Sequence, residues 1–190
     1  HWVHRLPGKL FHNILDHTVD SIVPFLPEAA PEISARAYMR RQRNDDDTDA
    51  LLDELRVMIL SGSTSAYLTF CSHARPAGHF LKVYGTKNTV QVDFIHRTML
   101  VDQSQTFPTA LGRLWPPFKA SWKTFRQATR NVREFAGSQF HYFAGMNRLL
   151  STFYDSIMHE TPVPIPYSNI LRVSTIMDEI FAQVYPGVFA

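Results

Sequence analysis

The stretch GKLFHNILDHTVD, residues 8–20, sets an apolar helical pattern beside several titratable side chains. Residues advance about 100° each around a helix, so positions i, i+4 and i+7 lie on one side. The pattern predicts a helix over residues 10–26 with one broad apolar arc facing a core. That arc consists of Phe11, Leu15, Val19, Ile22, Val23 and Leu26.

The opposite side of this helix is polar. Asn13, His17 and Asp20 fall together there, and His12 and Asp16 form a second i, i+4 pair on the flank. Such a column is commonly a solvated face with a helpful His–Asp contact. The same column also suits a site that presents an imidazole beside a carboxylate.

Composition indicates one globular domain over residues 1–190. The chain is 45% hydrophobic and 13% aromatic, which is enough for a core, and 19 Lys+Arg balance 17 Asp+Glu. A net charge of +2 with interspersed signs does not indicate a nucleic-acid partner. The sequence contains no apolar run long enough to span a bilayer and no signal peptide, so no membrane partner is expected. A single cysteine, Cys71, excludes an internal disulfide and favours a cytoplasmic location.

Alternating apolar and polar residues predict about six short strands between residues 33 and 102, and helical spacing returns over residues 119–185. Short connections favour an open, mostly antiparallel sheet. A strand block followed by a helical block predicts an α+β fold with helices on one face. The other face is also moderately apolar, so we expect a homo-oligomer that forms through it.

Aromatic side chains recur at helical spacing in the C-terminal block, and we expect these stripes to belong to the core. They are Trp122, Phe125, Thr129, Val132 and Phe135 in one segment, and Phe140, Phe143, Leu150, Phe153 and Ile157 in the next.

The order of these elements and the opening segment resemble the C-terminal domain of the Gfo/Idh/MocA family of NAD(P)-dependent oxidoreductases. That domain begins with G-G-x-L-x-D-x-G-x-H-x-x-D, where Gly8 matches the first glycine, Phe11 the apolar position, His17 the histidine and Asp20 the last aspartate. YGTKNTVQVDF resembles the strand–turn–strand in the middle of the family's sheet, and PYSNILRVSTIMDEIFAQV its closing helix.

The resemblance implies hydride transfer between a nicotinamide and a hydroxyl or carbonyl carbon of a sugar-like substrate. By this resemblance His17, with Asn13, is assigned to catalysis, because a base must reach the hydroxyl whose proton leaves. Asp20, Lys9 and His12 are assigned to substrate binding. NAD or NADP would be bound mainly by an N-terminal Rossmann domain, which is absent from this chain, so no cofactor-binding or metal residue is assigned here.

Three positions depart from the family pattern. Asn13 stands where the motif has aspartate and carries no charge, while Lys9 and Leu15 replace glycines. No G-x-G-x-x-G occurs anywhere in the sequence, so the chain alone should not hold a dinucleotide.

Two other hypotheses remain open. The chain could be a non-catalytic dimerisation or interaction module that retains this fold, as Asn13 and Leu15 would suggest. It could also carry out metal-assisted hydrolysis through its histidines, although no H-x-x-x-H or H-E-x-x-H helix pair is present. The candidate ligands in that case are His1, His4, His12 and His17 with Asp16 or Asp20.

Overall fold

A computed structural model describes residues 2–27, 30–40, 51–103, 110–138 and 143–186. Within these ranges, five helices and six strands follow one another, with short 3₁₀ turns at Trp2–Arg5 and Val23–Phe25. The helices are α1 (Lys9–His12), α2 (Leu15–Ile22), α3 (Ala110–Ala136), α4 (Ala144–Met158) and α5 (Tyr167–Val184). The strands are β1 (Glu32–Tyr38), β2 (Glu54–Ser61), β3 (Thr64–Cys71), β4 (Phe80–Tyr84), β5 (Asn88–Asp93) and β6 (Thr98–Gln103).

The chain divides into two compact units, one of residues 1–74 and 165–190 and the other of residues 75–164. Each unit has a three-stranded antiparallel sheet, β1-β2-β3 in the first and β4-β5-β6 in the second. The α+β class and the antiparallel pairing are therefore confirmed. The six strands belong to two sheets rather than one, and the segment between them contains Pro76, which has no N–H for a ladder. The single domain over residues 1–190 stays a prediction.

The core of the first unit lies between α2, α5 and one face of the first sheet. Every second residue of β2 is buried, as its alternating sequence predicts, through Leu55, Val57 and Ile59. Each of the two helices contributes one apolar stripe, and these stripes pack against the buried side chains of β2 in a single cluster. These helical residues are Leu15, Val19 and Ile22 of α2, and Val173, Ile176, Met177, Ile180 and Phe181 of α5.

The continuous helix predicted over residues 10–26 is wrong. The segment contains two α-helices, since α1 ends at His12 and α2 begins at Leu15. The backbone N–H of Ile14 turns back to the carbonyl of Phe11 at 3.1 Å, which closes the short first helix. Phe11 and Leu15 both remain buried across this break, so the apolar spacing alone did not reveal it.

In both units a helix glutamine clamps the backbone of an outer strand. Gln183 of α5 accepts a hydrogen bond from the N–H of Ala35 at 2.8 Å and donates one to the carbonyl of Ile33 at 2.8 Å. Gln127 of α3 makes the same pair of bonds to the N–H and carbonyl of Met99 in β6. Two backbone groups of β1 and two of β6 are therefore bonded to a helix.

The prediction that the aromatic stripes of the C-terminal block belong to the core is wrong for the described residues. Trp122, Phe125, Val132 and Phe135 of α3 are exposed. The second stripe is exposed as well, both at Phe143, which precedes α4, and at Leu150, Phe153 and Ile157 within it. Phe140 lies outside the described residues. The reason in α3 is that polar side chains, Gln127 among them, occupy the face that meets β6.

Helix α3 begins at Ala110, nine residues before the predicted helical block, and continues through Pro116 and Pro117. Across the described ranges, none of the helices has the length and the hydropathy that a bilayer crossing requires.

Candidate functional site

The outer face of α2 carries the two side chains that the sequence motif singles out. His17 and Asp20 lie three residues apart in one continuous helix, so both project from the same side, and both are exposed. The opposite side of α2 is anchored by Leu15 and Val19, which are at most 2% exposed. The helix therefore presents an imidazole and a carboxylate to solvent from a fixed support.

The carboxylate that contacts His17 is Asp16. Its Oδ1 accepts a hydrogen bond from the backbone N–H of His17 at 2.8 Å and lies 4.0 Å from His17 Nε2. The side chain of His17 is 78% exposed, so this contact with Asp16 is weak in water. Three polar groups, of His17, Asp16 and Asp20, thus line one surface of α2.

Asn13 does not belong to this surface in the way that the sequence predicted. It is the C-terminal cap of α1, two residues before α2 begins, so the helical i, i+4 spacing to His17 does not apply. Its side chain is exposed. The column of Asn13, His17 and Asp20 on a single helix is therefore wrong, and only the last two share a helical face.

Lys9 and His12 lie against the C-terminal end of α5. The Nζ atom of Lys9 is 5.1 Å from the centre of the Tyr185 ring, and the His12 ring stacks on Phe181 with centroids 5.6 Å apart. His12 Nδ1 is buried and has no hydrogen-bond partner among the described residues. The α1 segment thus uses two of its predicted substrate-binding residues for packing.

Gly8 and Lys9 occupy two adjacent backbone positions that favour glycine, each for a different reason. A Cβ on Gly8 would stand 2.2 Å from Cζ of Phe181, so only glycine allows the ring to approach. Lys9 has a φ of +46°, in the left-handed region that glycine adopts most readily. Lysine at this position therefore has a backbone conformation that glycine would adopt with less strain.

Tyr185 is a residue that sequence reasoning missed. It follows α5, is 9% exposed, and its hydroxyl has no hydrogen-bond partner within the described ranges. Burial raises its pKa from 10.0 to about 12, because the charged phenolate is poorly solvated there. Nothing in the local sequence indicates its contact with Lys9.

A second polar cluster, also missed, joins the ends of β1, β2 and β3. The backbone N–H of Arg40 donates to Asp53 Oδ1 at 2.8 Å, and His73 Nε2 lies 2.8 Å from Asp53 Oδ2. Arg40 Nε donates to Glu54 Oε2 at 2.9 Å, and Arg56 lies 3.5 Å from the same oxygen. The hydrogen bond from Arg40 is the main cause that holds the pKa of Glu54 below its usual value of 4.5.

Within the ranges described above, no group of three or more His, Cys, Asp or Glu side chains could hold a metal ion. The described strands also form no βαβ unit of the kind that binds a dinucleotide. All strand pairs of the described residues are antiparallel, and the sequence has no glycine-rich phosphate-binding turn. On the exposed surface of α2, an imidazole can accept or donate a proton and the carboxylates can accept hydrogen bonds.

No protein-family model and no curated protein matches the sequence. Among solved structures, the chain is similar to UDP-N-acetylglucosamine 3-dehydrogenase GnnA from Acidithiobacillus ferrooxidans, with a TM-score of 0.54 and 13% sequence identity over 91% of this chain. The chain covers 46% of the length of that protein. The similarity confirms the predicted resemblance at the level of the fold, and the chain has the α+β fold found in Gfo/Idh/MocA oxidoreductases.

Proposed function

We propose that this chain is the substrate-binding part of an NAD(P)-dependent oxidoreductase that acts on a hydroxyl or carbonyl carbon of a sugar-like substrate. The observation that carries the proposal is the outer face of α2, where His17 and Asp20 stand exposed on a helix whose other side is buried in the core. A fold shared with a sugar-nucleotide dehydrogenase supports the same assignment.

His17 is the proposed proton acceptor and donor. When a substrate hydroxyl is oxidised to a carbonyl, its O–H proton must be taken up, and imidazole is the side chain that most often serves as a general acid or base. Asp16, 4.0 Å away, would stabilise the imidazolium that forms. Asn13, at the end of α1, is proposed to assist catalysis by hydrogen-bonding the substrate through its uncharged amide.

Asp20 is the proposed substrate ligand, because a carboxylate accepts hydrogen bonds from sugar hydroxyls. Lys9 and His12 are proposed to support substrate binding indirectly. Their contacts with Tyr185 and Phe181 hold α1 against α5. A nicotinamide held by a separate Rossmann domain would supply the hydride chemistry, and none of the residues of this chain is assigned to it.

A homo-oligomer through the open face of a sheet and a cytoplasmic location belong to the same proposal. In the first sheet, Ser34 and Arg36 of β1 and Tyr67 and Thr69 of β3 are exposed on the side away from the buried Ile33, Ala35 and Leu68. That face is available to a second copy.

The second candidate is a non-catalytic module that uses the fold for association only. It is favoured by Asn13, which replaces an acidic residue of the motif. It is also favoured by Leu15, a buried side chain at a position where the motif has glycine. The metal-assisted hypothesis finds no support among the described residues, whose histidines form no ligand cluster, and its candidate ligand His1 lies outside them.

The test is a dehydrogenase assay on the protein together with its proposed nucleotide-binding domain. Reduction of NAD⁺ or NADP⁺ is followed with a panel of free sugars, sugar nucleotides and polyols. We expect turnover with at least one of them, and a loss of about a hundredfold or more in kcat for His17→Ala.

A matched control is His159→Ala, which removes another exposed histidine, at the end of α4, and should leave turnover unchanged. Turnover by His17→Ala equal to that of the wild type would refute the catalytic role. Dimerisation without dinucleotide binding or turnover would establish the second candidate instead.

A further inference from the structure

Helix α3 is amphipathic, but its apolar arc faces away from the sheet that it packs on. The face towards the sheet is polar: Lys123 Nζ donates to the carbonyl of Val101 at 3.0 Å, and Gln127 bonds Met99. Asn131 Nδ2 donates to the carbonyl of His96 at 2.8 Å. These bonds fix the rotation of α3 about its own axis.

At about 100° per residue, the arc opposite these three side chains is apolar and largely aromatic. Phe118 is 69% exposed, and Trp122 and Phe125 are each 62% exposed. The large apolar residues of the arc are Leu114, Trp115, Phe118, Trp122, Phe125 and Val132, and the exposed Thr129 lies among them. An exposed apolar surface of this kind marks an interaction site.

A basic flank runs directly beside this apolar arc. Lys119, Arg126 and Arg133 recur every seven residues and so form a line parallel to the helix axis, with Arg130 next to them. Glu134 is the one acidic residue in the 27 residues of α3. The helix therefore offers an aromatic surface bordered by positive charge.

These two features together identify the occupant. A helix that lies in a membrane interface combines low overall hydrophobicity with an arc of Trp, Phe and Leu and with Lys and Arg on the polar side. Paired helices use Leu, Ile and Val in their contact seam instead, so the aromatic arc is poorly suited to a second copy of α3. Tryptophan rings favour the boundary between headgroups and acyl chains.

We propose that α3 is a membrane-surface helix that binds the chain to an anionic lipid bilayer, with its aromatic arc in the interface and its basic flank against the headgroups. This proposal does not require a spanning segment and is independent of the oxidoreductase proposal. Attraction by negatively charged lipid falls with salt, so the binding should too.

The experiment measures sedimentation of the chain with vesicles of phosphatidylcholine alone and of phosphatidylcholine mixed with an equal amount of phosphatidylglycerol. We expect binding to the mixed vesicles, weaker binding at raised salt, and little binding to phosphatidylcholine alone. In a Trp2→Phe background only Trp115 and Trp122 remain, and their fluorescence should shift to shorter wavelength when the mixed vesicles bind.

The charge-reversal variant Arg126→Glu/Arg133→Glu should bind the mixed vesicles with an affinity at least about tenfold lower than that of the wild type. Its control, Arg5→Glu/Lys87→Glu, makes the same change in net charge at exposed positions outside α3 and should bind as the wild type does. Trp122→Ala/Phe125→Ala should weaken binding with no change in charge. All these side chains are exposed, and circular dichroism checks that each variant is folded.

Three outcomes would overturn the proposal. One is absence of vesicle binding by the wild type, and another is equal loss of binding in the charge control. The third is a wild-type dimer that Trp122→Ala/Phe125→Ala converts to a monomer without vesicles, which would assign the arc to a second copy.

Discussion

Gly8 and Phe181 lie against each other so closely that a Cβ on Gly8 would stand 2.2 Å from the ring carbon Cζ. This contact joins α1 to the end of α5. Because Phe181 is 1% exposed and surrounded by core residues, its ring has little room to move. We expect Gly8→Ala to lower the free energy of unfolding by about 2 kcal/mol, the usual cost of overpacking.

Urea unfolding followed by circular dichroism measures this change, and Gly145→Ala is its control. No atom lies within 4 Å of a Cβ at Gly145, which is in α4, so alanine should leave stability unchanged or raise it by about 0.5–1 kcal/mol. Equal stability of Gly8→Ala and the wild type would contradict the packing of α1 on Phe181.

Lys9 should tolerate glycine better than alanine. Its φ of +46° is in the left-handed region, where a residue with a Cβ loses about 1 kcal/mol or more relative to glycine. Both substitutions remove the contact of Nζ with the Tyr185 ring, so their difference isolates the backbone effect. We expect Lys9→Gly to be more stable than Lys9→Ala by about 1 kcal/mol.

The opposite order is expected at Lys119, an exposed interior position of α3, where glycine is worse than alanine by about 1 kcal/mol. Urea unfolding of the four variants provides the comparison. The same order at both sites would argue against a left-handed Lys9.

Tyr185→Phe should stabilise the chain and change its response to alkaline pH. The hydroxyl is buried without a partner among the described residues, so its removal should add about 1 kcal/mol. The pKa is raised from 10.0 to about 12, so the folded state keeps its proton where the unfolded chain loses it. The corresponding stability is complete below pH 10 and is lost as pH rises from 10.0 to about 12.

Unfolding free energies measured from pH 9 towards pH 12 should therefore fall by the order of 2 kcal/mol more in the wild type than in Tyr185→Phe. Tyr154→Phe, which changes an exposed tyrosine of α4, should follow the wild type. If the unfolding free energies of all three proteins fell equally with rising pH, the burial of the Tyr185 hydroxyl would be refuted.

Glu54→Gln should weaken the chain at neutral pH and reduce its sensitivity to acid. The hydrogen bond from Arg40 keeps the pKa of Glu54 below 4.5 in the folded state. That contribution is complete above pH 4.5 and is lost as pH falls through the lower, folded pKa. The variant should therefore lose less stability than the wild type in this acidic range.

Thermal unfolding between neutral and acidic pH tests this, with Glu32→Gln as the control, because Glu32 is exposed on β1. A steeper acid response of Glu54→Gln than of the wild type would contradict the depressed pKa. A control that behaves like Glu54→Gln would show that any lost carboxylate has the same effect.

Asp20→Ala should act on substrate affinity in the active oxidoreductase that we propose. Loss of a hydrogen bond between a carboxylate and a substrate hydroxyl amounts to about 1.5 kcal/mol, which corresponds to roughly a tenfold rise in KM. The value of kcat should change little, in contrast to His17→Ala, because Asp20 holds the substrate without moving its proton. A fall in kcat with unchanged KM would reassign Asp20 to the chemical step.

Much of the fold could be predicted because strand signals are local. The alternation of buried Leu55, Val57 and Ile59 with more exposed neighbours is written into consecutive residues of β2. The antiparallel order follows from short connections such as Gly62 and Ser63 between β2 and β3. These features need no knowledge of distant contacts.

The break between α1 and α2 could not be predicted, because the apolar period continues across it. Phe11 and Leu15 are four residues apart and both buried, as in an unbroken helix. In the structure α1 packs on Phe181 and Tyr185, which come from the far end of the chain and cannot be inferred from the local pattern.

The error over α3 has a different origin. Periodicity identifies an apolar arc, such as that of Trp122 and Phe125, but does not say what the arc faces. In this helix Gln127 and Asn131 satisfy backbone groups of the second sheet and so determine the orientation. The orientation of α3 is therefore determined by its hydrogen-bonding side chains and not by its apolar residues.

The glutamine clamps have a consequence for how the first sheet can grow. Gln183 bonds the N–H of Ala35 and the carbonyl of Ile33, so an incoming strand finds these groups of β1 already engaged. In the part of the chain that the structure describes, β3 pairs on one side only. Polymerisation by strand addition to this sheet, whether in amyloid seeding or in recruitment of a foreign peptide, would therefore proceed in one direction, from β3.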